Sequence, residues 1–593
     1  MVARLSQRTL TAMEAVLGLL CALILAALLA IVLASVVLRY VFHTGVVGVE
    51  ELCIWLNVAL IAFGMPLALN GGLAMRMDLI SRNLPVRWRQ AGGDVFSVVA
   101  ALVLLFGSHK IAALLGGTSP MLGLPEWVRF GLFGIGGGLL LGALILQRVA
   151  QGLVMSMLLS LVAGVGIYLA VPHLQVAASW PPSLSVAIVA GIGILLAAPL
   201  PHAFLAAAYG AIVLGASLPE PAIVSSAVSG MSRFLLLSIP FFLLAGGLLT
   251  VSGAAGRLVR LAETLVGHRR AGLAQTTLLT GVLFSGASGS SVANAAFGAS
   301  TFYPELVRNG YRPQQAGAII AATSVLDNVI PPSIAFLLLA AATSLPVGPL
   351  LVGGIFAGGL MALCLAVAIH LSVREGAARP PASGEDRRLA VAAALPALGL
   401  GVIVVAGIRL GIVTATEAAA VAAFYTLALG IVAGTRAGKL WSAFRRAAVE
   451  AAGIGLLIGS AGPFAALLAM DDIAGAVART VSEVGGGALA VLLLSNVVLL
   501  VLGLVLDIGA AILLLGPILL PAAVAAGIDP VQFGVIVVVN LMIHGLTPPL
   551  GMLVYVVGGV TGVPVPALFR AVLPYLAALL FALLLLSAYA LVS

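Results

Sequence analysis

Apolar positions along this chain do not alternate with polar ones; they run on in long blocks. Val16 to Val37, Val95 to Leu115 and Leu389 to Ile408 each approach the ~20 residues that carry a helix across a bilayer, and such blocks recur from end to end. The pattern predicts an all-α polytopic membrane protein with about 15 to 18 spanning or half-spanning helices. Short polar stretches mark the ends of the first few. One helix leaves by Tyr40, a second covers about 50 to 70, and the loop RMDLISRNLPVRWRQ follows at 76 to 90. A third leads to GGTSPMLGLPEW at 116 to 127, a fourth ends at Gln147 and Arg148, and a fifth occupies about 153 to 171.

With 62% hydrophobic and 8% charged residues, the chain has too little polar surface to coat a water-facing globule. Its net charge of +8 is spread over short loops: Arg76, Arg82, Arg87 and Arg89, then Arg269 and Arg270, then Arg436, Lys439, Arg445 and Arg446. That is the positive-inside pattern, and it accounts for the charge without nucleic acid. It puts the N-terminus, the 76 to 90 loop and the end of the fourth helix in the cytoplasm. Residues 1–150 then form a four-helix unit with both ends inside, 151–180 a linking transmembrane helix and connector, and 181–593 a larger unit. The polar run VREGAARPPASGEDRR at 373 to 388 is expected as a cytoplasmic loop within that unit. Arg4 and Arg8 precede a long first span with no small-residue cleavage site, so this helix is expected to stay as an anchor. Cys21, Cys53 and Cys364 lie in spans without metal-ligand spacing.

The chain repeats itself at an offset of 217 residues. Pro304 falls on Pro521, Gly310 on Gly527, Pro313 on Pro530, Gln315 on Gln532, Gly317 on Gly534, Pro331 and Pro332 on Pro548 and Pro549, and Pro349 on Pro566. Apolar composition produces chance matches at Ala, Val and Leu, not at Gly, Pro and Gln. Two repeats are therefore expected, around 272–350 and 489–567. Secondary transporters place their substrate and ion sites where such repeats meet. Several segments are too short to assign as spanning, so parallel and inverted arrangements both stay open.

Each repeat carries a polar break. FSGASGSSVANAAFG at 284 to 298 sits between apolar arms of half-spanning length, which predicts a re-entrant hairpin. Irregular backbone at membrane depth survives only where protein, water or an ion satisfies its polar groups. Freed carbonyls and hydroxyls are hard oxygen ligands suited to Na⁺, and helix N-termini suit a carboxylate. The candidates here are Ser285, Gly286, Ser288, Gly289, Ser290, Ser291 and Asn294. Downstream, ATSVLDNVIPPSIAF (322 to 336) and NLMIHGLTPPLGM (540 to 552) contain proline pairs that cannot continue a helix. They add Thr323, Ser324, Asp327, Asn328, Pro331, Pro332 and Ser333 in the first copy, and Asn540, His544, Thr547, Pro548 and Pro549 in the second. Asp507 aligns with Ser290 and is a further ionisable group at membrane depth. Na⁺ is expected at Ser288, Ser290, Asn540, Thr547 and backbone carbonyls. Each site also has a plain structural use: small residues for helix packing, His544 as a neutral interhelical group, Asp327 paired with Asn328 or a backbone amide. Glu50 and Glu51 read as capping or interface groups.

These residues resemble the tripartite ATP-independent periplasmic (TRAP) transporters in their fused form, with small (Q) and large (M) membrane subunits in one chain. The large-subunit pattern stands in LSIPFFLLAGGLLTVSGAAGRLVRLAETLVGHRRAGLA (237 to 274), FSGASGSSVANAAFG, IPPSI (330 to 334), GIVTATEAAAVAAFY (411 to 425) and GIDPVQFGVIVVVNLMIHGLTPPLG (527 to 551). The small-subunit pattern stands in LRYVF (38 to 42), EEL (50 to 52), MRMDLISRNLP (75 to 85) and TSPMLGLPEW (118 to 127). The resemblance implies a Na⁺-driven elevator-type importer in the bacterial inner membrane, with Na⁺ as coupling ion and no organic cofactor. A soluble periplasmic substrate-binding protein would deliver a dicarboxylate, sialic acid or sugar acid. It also implies a reason for the fifth helix: a small subunit ending inside needs one more crossing to join a large subunit that starts outside. Two departures stand out. The family often has Asp where this chain has Asn294, and Gly before the IPPS segment where this chain has Asp327 and Asn328.

A stand-alone Na⁺-coupled organic anion carrier would share the breaks but leave residues 1–150 without a role. An intramembrane enzyme is disfavoured: the seven histidines are scattered, and no paired nucleophile and base, metal cluster or nucleotide motif occurs, so neither a catalytic residue nor ATP is expected.

Overall fold

A computed structural model describes residues 2–69, 86–174, 181–215, 218–288, 290–373, 380–473, 475, 476, 479, 487–504 and 506–592. Among them every regular element is helical, apart from one isolated bridge between Thr118 and Pro125. Eleven helices among these residues are long and apolar enough to cross a membrane, and seven shorter apolar helices have 10–17 residues. The chain divides into two compact units, residues 1–240 with 444–476, and residues 241–443 with 477–593.

In the first unit, α1 (Val2–Tyr40), α2 (Val49–Gly64) and α5 (Trp127–Ala150) pack on one another. The second helix ends at Gly64 rather than near 70: Met65 still bonds back to the Ile61 carbonyl, but Pro66 brings no N–H to continue the ladder, and a short 3₁₀ turn at Leu67–Leu69 comes next. The 76–85 part of the expected basic loop lies outside the described residues. The third expected helix is α3 (Val86–Leu102), a π-helical stretch at Val103–Gly107 and α4 (Ser108–Leu114). Arg148, at the end of α5, is not a surface charge. Its Nε and Nη2 donate to the two carboxylate oxygens of Asp94 on α3 at 2.7 Å each, with both side chains buried. A guanidinium fork matched to a carboxylate is the arrangement that lets two charges stay out of water. Glu51 accepts from the backbone N–H groups of Met121 and Leu122 at 3.0 Å, fixing the loop that holds them.

The linking helix α6 (Val154–Ala170) packs along α3. Its Tyr168 hydroxyl donates to Glu220 at 2.7 Å, and Lys110 Nζ donates to the other oxygen of Glu220 at 2.5 Å. Glu220 opens α9 (Glu220–Met231), which comes after α7 (Pro182–Leu195) and α8 (Leu200–Gly210). The Tyr209 hydroxyl on α8 donates to the Tyr168 carbonyl, and the rings of Phe106, Tyr168 and Tyr209 stack in series.

The second unit contains most of α10 (Ser238–Val251), then α11 (Ala254–Val266), α12 (Gly272–Ser288), α13 (Ser291–Arg308), α14 (Pro313–Ser324), α15 (Ile334–Thr343) and α16 (Val347–Ser372). After α17 (Gly384–Arg409), α18 (Ala415–Val432) and the start of α19 (Ala437–Met470) come α20 (Ala488–Gly503), α21 (Ile508–Ala525), α22 (Pro530–Ile543), α23 (Met552–Thr561) and α24 (Val565–Val592). The expected loop at 373–388 is shorter than its polarity suggests. Residues 374–379 lie outside the described residues, and Ser383 caps α17, accepting from the Asp386 N–H at 3.0 Å. The TATE stretch of α18 is a capping box, with Thr414 and Glu417 each accepting the other's backbone N–H.

The repeat is visible in the helices. The starts of α12, α13, α14, α15 and α16 recur as the starts of α20, α21, α22, α23 and α24, each within one residue of the 217 offset. Packing across the copies is reciprocal: α13 lies on α23 as α21 lies on α15, and α14 lies on α24 as α22 lies on α16.

Candidate functional site

The first hairpin breaks more narrowly than its serines suggest. α12 continues through Ser288 and α13 begins at Ser291. Gly289 lies outside the described residues, as do the side chains of Gly286 and Ser288. Ser285 stays helical and donates back to the Gly281 carbonyl at 2.5 Å. Ser290 is the N-cap of α13, accepting from the Ala293 N–H at 3.3 Å.

The next break faces that cap. α14 tightens into a 3₁₀ turn at Val325–Asn328, the chain extends through buried Pro331 and Pro332, and α15 starts afresh at Ile334. Ser333 bridges the gap: its hydroxyl donates to the Asn328 carbonyl and accepts from the Phe336 N–H, so one side chain serves both ends of a cut helix. Two contacts tie the turn to the first helical turns of α13. Asn294 donates to the Asp327 carboxylate at 3.5 Å and Asn328 donates to the Ser291 hydroxyl at 3.2 Å. Asp327 is fully buried. Ser291, Asn294, Asp327, Asn328 and Ser333 therefore form one polar cluster, while the hydroxyls of Thr323 and Ser324 donate to the Ile320 carbonyl in their own helix.

The second copy uses the same backbone differently. Asp507, in the place of Ser290, is the N-cap of α21 and accepts from the Gly509 N–H at 3.0 Å, setting a carboxylate against a helix N-terminus. α22 ends in a 3₁₀ turn at His544–Leu546, and His544 occupies the position of Asp327. Pro548 and Pro549 are exposed, unlike their counterparts, and both Pro–Pro bonds are cis. Asn540 is fully buried and its amide donates to the Asn496 side chain at 2.7 Å and carbonyl at 3.1 Å; Asn496 in turn donates to Ser587 at 3.1 Å. Thr547 donates to the Ile543 carbonyl in its own turn. The His544 ring lies against Gly503, where an added Cβ would stand 3.3 Å from its Nδ1.

Two buried amide oxygens in these breaks have no hydrogen-bond partner among the described residues, Asn328 Oδ1 and Asn540 Oδ1, whereas the His544 ring has a backbone hydrogen bond with Leu541. Each such atom costs about 1–3 kcal/mol unless something satisfies it. The 325–328 turn packs against α22, the helix that carries Asn540, so both breaks belong to one body. No group of three His, Cys, Asp or Glu side chains able to hold a metal occurs among the described residues. Asn496 and Ser587 escape the sequence motifs. The signal was present in Asn496, the one amide in the ALAVLLLSNVVLLVLG of α20, where Ser495 is its only polar neighbour.

Residues 184–591 match the DctM component of the tripartite ATP-independent periplasmic transporters, and residues 28–155 match the DctQ component. The chain belongs to the TRAP transporter permeases. It is 31% identical over 585 residues to the isethionate TRAP transporter permease protein DctMQ of Oleidesulfovibrio alaskensis, covering 95% of this chain and 91% of that one. It is 39% identical to the C4-dicarboxylate TRAP transporter large permease protein DctM of Pseudomonas aeruginosa, over 59% of this chain and 82% of that one. The sialic acid TRAP transporter large permease protein SiaM of Vibrio cholerae is 34% identical, over 61% of this chain and 86% of its own. The TRAP permease described here is thus a multi-pass membrane transport protein in which both components share one chain, and all but the first two residues of α6 lie between the two matched regions.

Proposed function

We propose that this permease is a Na⁺-coupled importer of a small organic anion, delivered by a separate periplasmic binding protein. The observation that carries the site is the pair of unpartnered buried amide oxygens, Asn328 Oδ1 and Asn540 Oδ1, at repeat-related breaks in membrane-depth helices. Na⁺ is a hard cation that takes oxygen ligands of the kind found here. The Asp327 cluster offers carboxylate and amide oxygens beside the break at Pro331, and the second copy offers Asn540 with the carbonyls around Thr547. The N-terminus of α13, capped by an uncharged serine, is available to an anionic substrate group in a way that the α21 N-terminus, capped by Asp507, is not. No arginine lies in either break, so backbone amides, hydroxyls or a bridging Na⁺ would meet the substrate. The relatives named for isethionate, C4-dicarboxylates and sialic acid support a sulfonate or carboxylate as the substrate class.

The protein sits in the bacterial inner membrane with Arg4 and Arg8 in the cytoplasm. Counting the broken pair α14 and α15 as one crossing, then α16, α17, α18 and α19, an odd number separates the start of the first copy's broken helix from the second hairpin. With both hairpins re-entrant, the copies are inverted, the arrangement that alternating access by an elevator movement uses. Each uncompensated charge crossing ~100 mV supplies about 2.3 kcal/mol, enough for roughly fifty-fold accumulation.

The test is uptake of labelled organic acids into proteoliposomes of the full chain, with and without a Na⁺ gradient and with and without the binding protein encoded nearest to it. Uptake that needs both supports the tripartite importer. Na⁺-driven uptake that ignores the partner makes it a stand-alone carrier, and uptake indifferent to Na⁺ removes the coupling.

A further inference from the structure

The two repeat-equivalent helices α16 and α24 pack on each other, and along their contact runs an open groove of about 620 Å³. Its walls are large apolar side chains that face outward from the protein: Leu363, Val367 and Leu371 on α16, Phe581 and Leu585 on α24. Its floor is made of small residues, among them Ala368 and Ala578, and Pro574 interrupts the α24 hydrogen-bond ladder beside it. Large walls over an alanine floor leave a channel rather than a flat lipid-facing surface.

The groove has a polar end and an apolar end. At the polar end Gln315 donates to the Ser372 carbonyl at 3.2 Å, and the Ser372 hydroxyl donates to Tyr575 at 3.2 Å. One turn before Pro574, on the same face of α24, stands Arg570, exposed and without an ion pair among the described residues. From Ser372 the lining runs back along α16 to Leu360, about 18 Å at the helical rise. That is close to the ~15 Å depth of one leaflet of hydrocarbon. A cation at the surface end and a leaflet-deep apolar channel behind it are the complement of one molecule type.

The geometry points to a bound anionic phospholipid, with one acyl chain lying in the α16–α24 groove and its phosphate at Arg570. Nothing in this site depends on Na⁺ coupling or on the identity of the transported anion. Hydrocarbon in the groove removes from bilayer solvent the packing defect that a rigid channel would otherwise leave, and the guanidinium is a matched donor for phosphate oxygens.

Native mass spectrometry of the full-length protein, released from membranes containing phosphatidylglycerol and phosphatidylethanolamine, tests the site. One retained phospholipid per chain, enriched in phosphatidylglycerol, is expected. Ala368→Trp or Ala578→Trp fills the floor and should lower retention about tenfold, whereas Arg570→Ala should keep a lipid but lose the preference for the anionic headgroup. Retention unchanged in both tryptophan variants overturns the site. So does efficient disulfide crosslinking through Cys364 between two copies of the chain, because a second protein would then cover the groove. A photoactivatable acyl chain on the unaltered protein gives an answer that needs no variant to fold: label on the Leu363 and Phe581 peptides supports the assignment, and label spread evenly over the exposed helices removes it.

Discussion

The two hairpin-and-broken-helix copies share a backbone to within one residue at every helix start, yet almost none of their polar chemistry coincides. The first copy closes on itself, with Asn294, Asp327, Asn328 and Ser291 linking α13 to the cut helix over buried prolines. In the second, Asn540 turns away toward Asn496 and Ser587, the prolines are exposed, and an imidazole replaces the carboxylate. The caps are exchanged in sense as well, a neutral Ser290 against an ionisable Asp507. Duplication supplies the two broken helices; the side chains then set different contacts on each.

The hardest way to break this comparison is to exchange the tips. Asp327→His combined with His544→Asp keeps the composition of the site and should abolish Na⁺-driven uptake. If the double variant transports with unaltered Na⁺ dependence, the two tips are chemically equivalent. A smaller effect is expected from Asp327→Asn, which keeps the shape and removes the charge. A charged hydrogen-bonding partner worth ~1.5–3 kcal/mol corresponds to a Na⁺ response weakened about ten- to hundredfold, read from uptake at graded Na⁺. His544→Gln should leave that response within about twofold, and a larger loss there would make the imidazole itself part of the cation site.

Next comes the amide chain of the second copy. Asn540→Ala strands buried groups of Asn496 and should cost about 1–3 kcal/mol, seen as a lower melting temperature in detergent. Asn496→Ala should cost a similar amount, and the pair together less than the sum, since both remove one interaction. Strict additivity would show that Asn540 acts elsewhere. The smallest effect separates two glycines. Gly503→Ala puts a Cβ 3.2 Å from Leu541 and 3.3 Å from the His544 ring, tight enough to cost about 1 kcal/mol. Gly281→Ala meets nothing closer than 3.6 Å, at Thr323, and should be tolerated. Equal melting temperatures for the two variants would mean that the His544 ring is free to move aside.

The repeat and its breaks were legible because Gly, Pro and Gln mark backbone that apolar side chains cannot disguise, and the 217 offset found at Pro313 and Pro530 recurs as helix starts at those same residues. The membrane class was legible from unbroken apolar blocks such as Val16 to Val37, which lies within α1. The extent of the first break was not, because serine is compatible with helix when its hydroxyl turns back on a carbonyl, as Ser285 does. Nor were the long-range pairs. Arg148 with Asp94, and Tyr168 with Glu220 and Lys110, join residues 50 or more positions apart, and no local spacing announces them.

One of those pairs bears on assembly rather than transport. Because α6 covalently joins the regions that match the two components, and the Tyr168–Glu220 hydrogen bond fastens the end of α6 to the start of α9, their meeting is no longer governed by how much of each is synthesised. An encounter between separate membrane partners becomes intramolecular, at an effective concentration of order millimolar for a short link. Contacts that a two-chain permease must keep strong enough to survive dilution in the bilayer can weaken here by drift without dissociation, so the stoichiometry of the complex rests on one peptide-bonded helix.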